Sequence, residues 1–241
     1  MSSLALWRIT MPGIGQIQTT SLPKTGKIHK SQVLTRTLNK VMGYTSRASR
    51  PKFFYPSALK LECKKSLWYH YWGVDSKGDP LPLQEIDPLL SRVFSTGNSF
   101  EDRFIKYLKS AKLYIEDEKS FLVNDPLPIS GRIDFIIDFK EKTWIVELKT
   151  INARGFDKLR GPKPEHIMQV QCYLNSTDYD EAFILYENKD NQTWKEYRIE
   201  KDEELWGQMV AMCQEVMAEE VLPQDWKCTG PPWCVCKGVD K

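Results

Sequence analysis

Four short runs rich in apolar and β-branched residues fall into two pairs, each pair split by a polar break. Residues 129–139 (ISGRIDFIIDF) and 143–150 (TWIVELKT) flank the polar break Lys140-Glu141-Lys142 and read as a β-hairpin. FILYEN (183–188) and TWKEYRI (193–199) make a second hairpin about residues 189–192. Helical spacing appears in four further stretches. Residues 57–72 (SALKLECKKSLWYHYW) start at Ser57 after Pro56 and stop at Gly73. Residues 98–115 place Phe100, Phe104, Ile105 and Leu108 on one stripe, with Asn98 or Ser99 as cap. Residues 164–175 open with Pro164 and Glu165. Residues 202–220 turn Leu205, Trp206, Met209, Val210, Cys213, Val216 and Met217 inward. Helices, hairpin, helix, hairpin, helix is the order of an α/β fold, a central mixed β-sheet flanked by helices.

The first 50 residues differ. They lack sustained periodicity and contain the breakers Pro12, Gly13, Gly15, Pro23 and Gly26, with one short helix expected over Ser31 to Met42. They carry eight Lys or Arg and no acid, which leaves 26 of the 34 basic residues against all 32 acidic ones in the remainder. Residues 1–50 therefore read as a basic, flexible arm and residues 51–241 as one domain. A basic arm on an acidic body suggests an anionic partner; the alternative is a solvated arm with none. No apolar run approaches the roughly 20 residues of a membrane span. A secretory signal is not apparent, and Pro and Gly throughout the arm argue against a transit peptide. Six cysteines in a chain without an export signal favour reduced thiols and metal ligation over disulfides.

The first hairpin carries the chemistry. Pairing Phe139 with Lys142 sets Asp134 opposite Glu147, with Cβ atoms about 5 Å apart. Glu147 and Lys149 then share one face, while Val146 and Leu148 point into the core. Directly opposed carboxylates repel unless a cation lies between them, and Mg²⁺ or Mn²⁺ suits such hard oxygen ligands. Such an ion polarises a phosphoryl oxygen and acidifies its bound water, while Lys149 orients that water or stabilises the developing negative charge. The alternative is a solvated face on which Lys149 pairs with Glu147 or Asp134.

Gly131-Arg-Ile-Asp134 followed by Glu147-Leu-Lys149 resembles the core motif of the PD-(D/E)XK nucleases. More narrowly, residues 55–241 resemble the RecB-like branch, with its CRISPR-associated iron–sulfur exonucleases and related phage exonucleases. The resemblance implies a restriction-endonuclease-like core with a metal-stapled C-terminal tail. Asp134 and Glu147 would hold Mg²⁺ or Mn²⁺ with the Leu148 carbonyl, and Lys149 and Glu101 would complete the catalytic group. Gly97-Asn-Ser-Phe-Glu101 resembles the branch's first motif, but Phe100 stands where the family has a ligating His. Gln169 and Tyr173, at i and i+4, resemble the family's nucleic-acid-holding pair; otherwise Tyr173 is core. Arg154, with Lys158, Arg160 and Lys163, lies in a basic stretch that reads as a phosphate-holding or a plain solvated loop.

Cys63 resembles the family's first cluster cysteine, and Cys228, Cys234 and Cys236 lie where the other three do. Four thiolates hold a [4Fe–4S] cluster or a tetrahedral Zn²⁺, and the resemblance favours the cluster; the alternative is free thiols in a loose tail. The spacing C-x5-C-x-C departs from the family's C-x2-C-x5-C. Cys172 and Cys213 read as core residues. Trp68, Tyr69, Tyr71 and Trp72 read as core first and as a base-stacking surface second. The implied activity is a metal-dependent deoxyribonuclease, most narrowly an exonuclease acting on single-stranded DNA or duplex ends. Its settings would be recombination, replication, repair or CRISPR adaptation, with proteins of those processes as partners, in the cytoplasm of a prokaryote or phage-infected host. A DNA-binding module or structural subunit on the same fold is the alternative.

Overall fold

The computed structural model describes residues 32–45, 51–59, 63–83, 85–230 and 234–239. Most of the basic arm, and residues 60–62 of the first expected helix, lie outside the described residues. The chain divides into two units, Met1–Leu38 and Asn39–Lys241. Of the first, residues 32–38 are described, and 33–38 belong to helix α1 (Val33–Met42), which buries no residue.

In the second unit, strand β1 (Tyr44–Thr45) pairs antiparallel with β2 (Glu85–Ile86). The helix expected over 57–72 is divided. Pro56–Ala58 forms a 3-10 turn, and helix α2 (Lys64–Trp72) begins only after Cys63, whose sulfur accepts the Ser66 N–H at 3.4 Å. Gly73 ends α2 with φ +69°, a left-handed cap that favours glycine.

Helix α3 (Pro88–Ser110) starts ten residues before the expected boundary. Asp87 caps it, accepting the Leu90 N–H at 2.8 Å. Residues 95–99 (STGNS) look like a break, yet the helix runs through them. The Thr96 and Ser99 hydroxyls donate back to the Arg92 and Ser95 carbonyls instead of capping a new start. The helix also stops earlier than expected, and strand β3 (Tyr114–Val123) follows. The polar run YIEDEKSFLV hides that strand, because an edge strand keeps much of its surface in water.

The five-stranded sheet runs in the order β3, β4 (Ile129–Phe139), β5 (Lys142–Ile151), β6 (Glu181–Asn188) and β7 (Trp194–Glu200). All neighbours are antiparallel except β5 and β6. A parallel pair needs a crossover, and α4 (Ala153–Lys158) and α5 (Pro164–Ser176) supply it. The basic stretch expected to be a loop thus contains a short helix, capped by Asn152 accepting the Gly155 N–H at 2.8 Å. Between β4 and β5, Lys140 and Glu141 take φ values of +53° and +62°, both left-handed as in a type I′ turn. This turn sets Phe139 opposite Lys142, the register expected. Helix α6 (Glu203–Ala218) and the short α7 (Cys236–Val239) complete the fold.

One sheet face packs Ile136, Ile145, Ile184 and Tyr186 with Val170 and Leu174 of α5. Phe135, Val146, Leu148 and Leu185 pack with Phe100, Phe104 and Leu108 of α3. A third cluster joins α2, α6 and the tail through Leu67, Trp68, Met209, Cys213, Val216 and Cys236. Cys172 and Cys213 are core residues, as expected. So are Trp68, Tyr69 and Tyr71. The Trp68 and Trp72 indole N–H groups are spent on the Glu219 and Val216 carbonyls, at 2.7 and 3.2 Å. Among the described residues, no helix is long and apolar enough to cross a membrane.

Candidate active site

The β4–β5 ladder pairs residue by residue from Phe139 and Lys142 to Phe135 and Val146. One position on, where Asp134 faces Glu147 in that register, a side chain takes over from the backbone: the Leu148 N–H donates to Asp134 Oδ2 at 3.0 Å. Glu147 is fully buried, and its Oε1 pairs with Lys149 Nζ. Its Oε2 is buried and receives no N–H or O–H, and the carboxyl lies against that of Asp134, to which it can bond only when one of the two carries a proton. Such an orphan carboxylate oxygen costs free energy unless a proton or cation reaches it.

The electrostatics follow. Burial, and then the Asp134 charge, push the Glu147 carboxyl up to about 8. Burial also raises Asp134, outweighing the Lys149 charge and the Leu148 N–H that favour its ionised form. Burial opposes the Lys149 charge, but Glu147 and Asp134 prevail and raise its pKa. Glu101, half-buried on α3, is raised by burial and by Asp134. Three carboxyls are thus held above their ordinary range around one lysine, chiefly by burial.

These groups open onto a cleft of about 820 Å³. Its wall includes Glu101, Asp134, Glu147, Leu148, Lys149, Gln169 and Tyr173, so seven residues singled out in the sequence come together. Arg154 is not in that wall; it is exposed on α4. Phe100 is buried with Phe104 and Leu108, with the Arg103 guanidinium 4.6 Å from its ring centre, and offers no ligand. Tyr173 is buried, and its hydroxyl accepts from Gln169 Nε2 at 2.7 Å and donates to the Arg132 carbonyl at 2.9 Å. The pair thus fastens α5 to β4 two residues before Asp134. His166 bonds the Tyr186 hydroxyl at 2.7 Å.

Sequence reasoning missed part of the wall. Tyr55, Ser120 and Phe121 line it, the last two from the unforeseen β3. Arg132, also in the wall, pairs with Glu118 at 2.7 Å. Its signal was its place in Gly131-Arg-Ile-Asp134, two residues from the carboxylate and so on the same side of the strand.

A second constellation lies at the start of α2 and in the tail. The sulfurs of Cys63, Cys228, Cys234 and Cys236 all lie within 4.8 Å of one another and could hold a metal. Burial works to raise the Cys63 thiol, but N–H groups of Ser66 and Thr229 and the neighbouring thiols bring it down to about 7. Burial and its neighbours push Cys236 upward.

No family model and no curated protein matches the sequence. Solved structures do. LHK-Exo, an alkaline exonuclease from Laribacter hongkongensis solved in complex with dAMP, is 18% identical with a TM-score of 0.52 over 71% of this chain and 91% of that one. SSO0001 is 21% identical with a TM-score of 0.47 over 86% of this chain and 92% of that one. A phage-related exonuclease from Haemophilus somnus 129PT is 18% identical with a TM-score of 0.39, over 51% and 69%. At these identities the likeness to LHK-Exo shows the fold alone, and the chain has the architecture of that exonuclease.

Proposed function

We propose that this chain is a Mg²⁺- or Mn²⁺-dependent deoxyribonuclease. The observation that carries the reading is the buried Glu147 oxygen without a partner, beside Asp134 and Lys149 in the wall of an open cleft. Asp134, Glu147 and the Leu148 carbonyl would hold the ion, with Glu101 assisting directly or through water. All are hard oxygen donors, which suits Mg²⁺ or Mn²⁺. When bound, the ion supplies Lewis-acid polarisation of the phosphodiester and a more acidic water. Lys149 orients the attacking water and offsets charge on the phosphoryl oxygens as the P–O ester bond breaks. Gln169 and Tyr173 position β4 and its carboxylate at the edge of the substrate path, and Arg154 holds phosphate farther along it.

More narrowly, we read an exonuclease that works from DNA ends in recombination, replication, repair or CRISPR adaptation, with proteins of those processes as partners. The fold shared with an exonuclease captured with dAMP supports a DNA substrate. The eight Lys or Arg and no acid of residues 1–50 suit an anionic partner such as DNA, and the chain works in the cytoplasm of a prokaryote or phage-infected host. The four cysteines bind a metal that ties α2 to the tail. One observation favours a second reading, a DNA-binding module without turnover: Phe100 is packed into the core where the family has a ligating His.

Cleavage of end-labelled linear and circular DNA, with Mg²⁺ or Mn²⁺ and beside Lys149→Ala, tests the proposal. Metal-dependent loss of linear DNA that disappears in the variant supports it. Salt-sensitive binding without cleavage by the metal-loaded wild type moves the assignment to the binding module.

A further inference from the structure

We propose that Cys63, Cys228, Cys234 and Cys236 hold a single tetrahedral Zn²⁺, not the [4Fe–4S] cluster that the resemblance implies. The argument is the separation of the sulfurs. Cys63 Sγ lies 3.6 Å from Cys236 Sγ, 3.8 Å from Cys234 Sγ and 4.0 Å from Cys228 Sγ. Cys234 and Cys236 are 3.6 Å apart, and no sulfur of the four is more than 4.8 Å from another. A single ion with Zn–S bonds of about 2.3 Å sets its four sulfurs about 3.8 Å apart, the edge of a tetrahedron of that radius. A cubane instead places its own iron and sulfide atoms between the thiolates, and spreads the ligating sulfurs to about 6 Å. The cage has the first dimension and not the second.

The surroundings hold it to that size. Cys234 and Cys236 are separated by one residue, which keeps their sulfurs on one side of a tight turn. A Cβ at Gly230 would lie 2.8 Å from the Cys234 sulfur and 3.4 Å from the Cys63 Cβ, so the backbone already packs against the ligands. Widening the cage to admit four irons would displace the Gly230 segment. The Ser66 N–H donates to Cys63 Sγ at 3.4 Å and orients that ligand. Zn²⁺ replaces the thiol protons and changes no oxidation state, so up to four protons leave per ion bound. The ion's work is structural, closing the tail onto α2, and it is independent of the nuclease assignment.

The full chain, produced in cells supplied with iron and sulfur and purified anaerobically, is assayed for zinc, iron and acid-labile sulfide. The expected result is colourless protein with about one zinc per chain at the thiolates and no sulfide. A brown protein with about four irons and four sulfides per chain overturns the proposal, and so does a chain that retains no metal. Chelator-stripped protein is then divided between Co²⁺ and an anaerobic mixture of equal Fe²⁺ and Fe³⁺ with sulfide, which supplies the mixed-valent iron that a [4Fe–4S]²⁺ core needs. Co²⁺ should give the thiolate charge-transfer bands of a tetrahedral site, which carboxylate-bound cobalt lacks, and equimolar Zn²⁺ should bleach them. Assembly of a stable cluster from the mixture overturns the proposal. Cys228→Ser, at a half-exposed ligand, should keep the far-ultraviolet circular dichroism and bind Co²⁺ at least about tenfold more weakly. Unchanged cobalt bands and affinity in that variant overturn it as well.

Discussion

The carboxylate of Asp134 accepts the backbone N–H of Leu148 across two strands at 3.0 Å. A side chain thus does what a neighbouring carbonyl does in the rest of the ladder. It holds the acid against the end of β5, beside the Glu147 carboxylate that pairs with Lys149.

Asp134→Asn separates these two tasks. The amide oxygen still accepts the Leu148 N–H, but the charge is gone. The variant should fold and lose cleavage by on the order of 100-fold or more. Mg²⁺ at about 100 times its dissociation constant should stabilise the wild type by roughly 2.7 kcal/mol, and the variant by much less. Thermal melts with and without Mg²⁺ decide it: an equal rise in both proteins removes Asp134 from the metal site.

Glu147 sets a pH dependence in metal-free protein. Its folded pKa, about 8, lies above the ordinary value of 4.5. Folding therefore favours its protonated form. The stability this contributes is fully present below pH 4.5 and is lost as the pH rises through 8, an effect on the order of a few kcal/mol. Glu147→Gln has no proton to lose. In chelator, the Tm of the wild type should fall relative to that of the variant between pH 5 and 9; parallel profiles contradict the shift. Saturating Mg²⁺ should flatten the wild-type decline.

Tyr173→Phe removes one hydroxyl and strands two partners, Gln169 Nε2 and the Arg132 carbonyl. The cost should be about 1–3 kcal/mol. Because Arg132 lies two residues before Asp134, cleavage should fall as well. Urea unfolding gives the first number; an unchanged midpoint would show that the buried hydroxyl holds nothing.

Gly131→Ala places a Cβ 2.4 Å from two Phe121 ring atoms and 3.0 Å from Pro56 Cγ. Phe121 packs edge-on against Tyr173 at 5.9 Å between ring centres, so relief on one side disturbs the other. The single variant should lose about 1–3 kcal/mol. Adding Phe121→Ala should return part of that loss, and a double variant no better than additive would place the strain elsewhere.

The first hairpin was legible in the sequence. Its two-residue turn at Lys140 and Glu141 fixes the register, from Phe139 and Lys142 to Phe135 and Val146, although β5 is buried on both faces and shows no strict alternation. The second hairpin was legible from its polar break, α5 from Pro164 and Glu165 at its start, and α6 from an apolar stripe written in neighbouring residues. Elements that answer to distant partners were not. Strand β3 has a polar sequence and exists because β4 offers it an edge. Helix α3 runs through residues 95–99 because Phe100, Phe104 and Leu108 have a sheet to pack on. Burial of the Glu147 oxygen without a partner, the Tyr173 bond to Arg132 and the sulfur separations of four cysteines up to 173 positions apart were decided only in the folded chain. Distance along a chain does not measure distance in space, and desolvation depends on what every other segment covers.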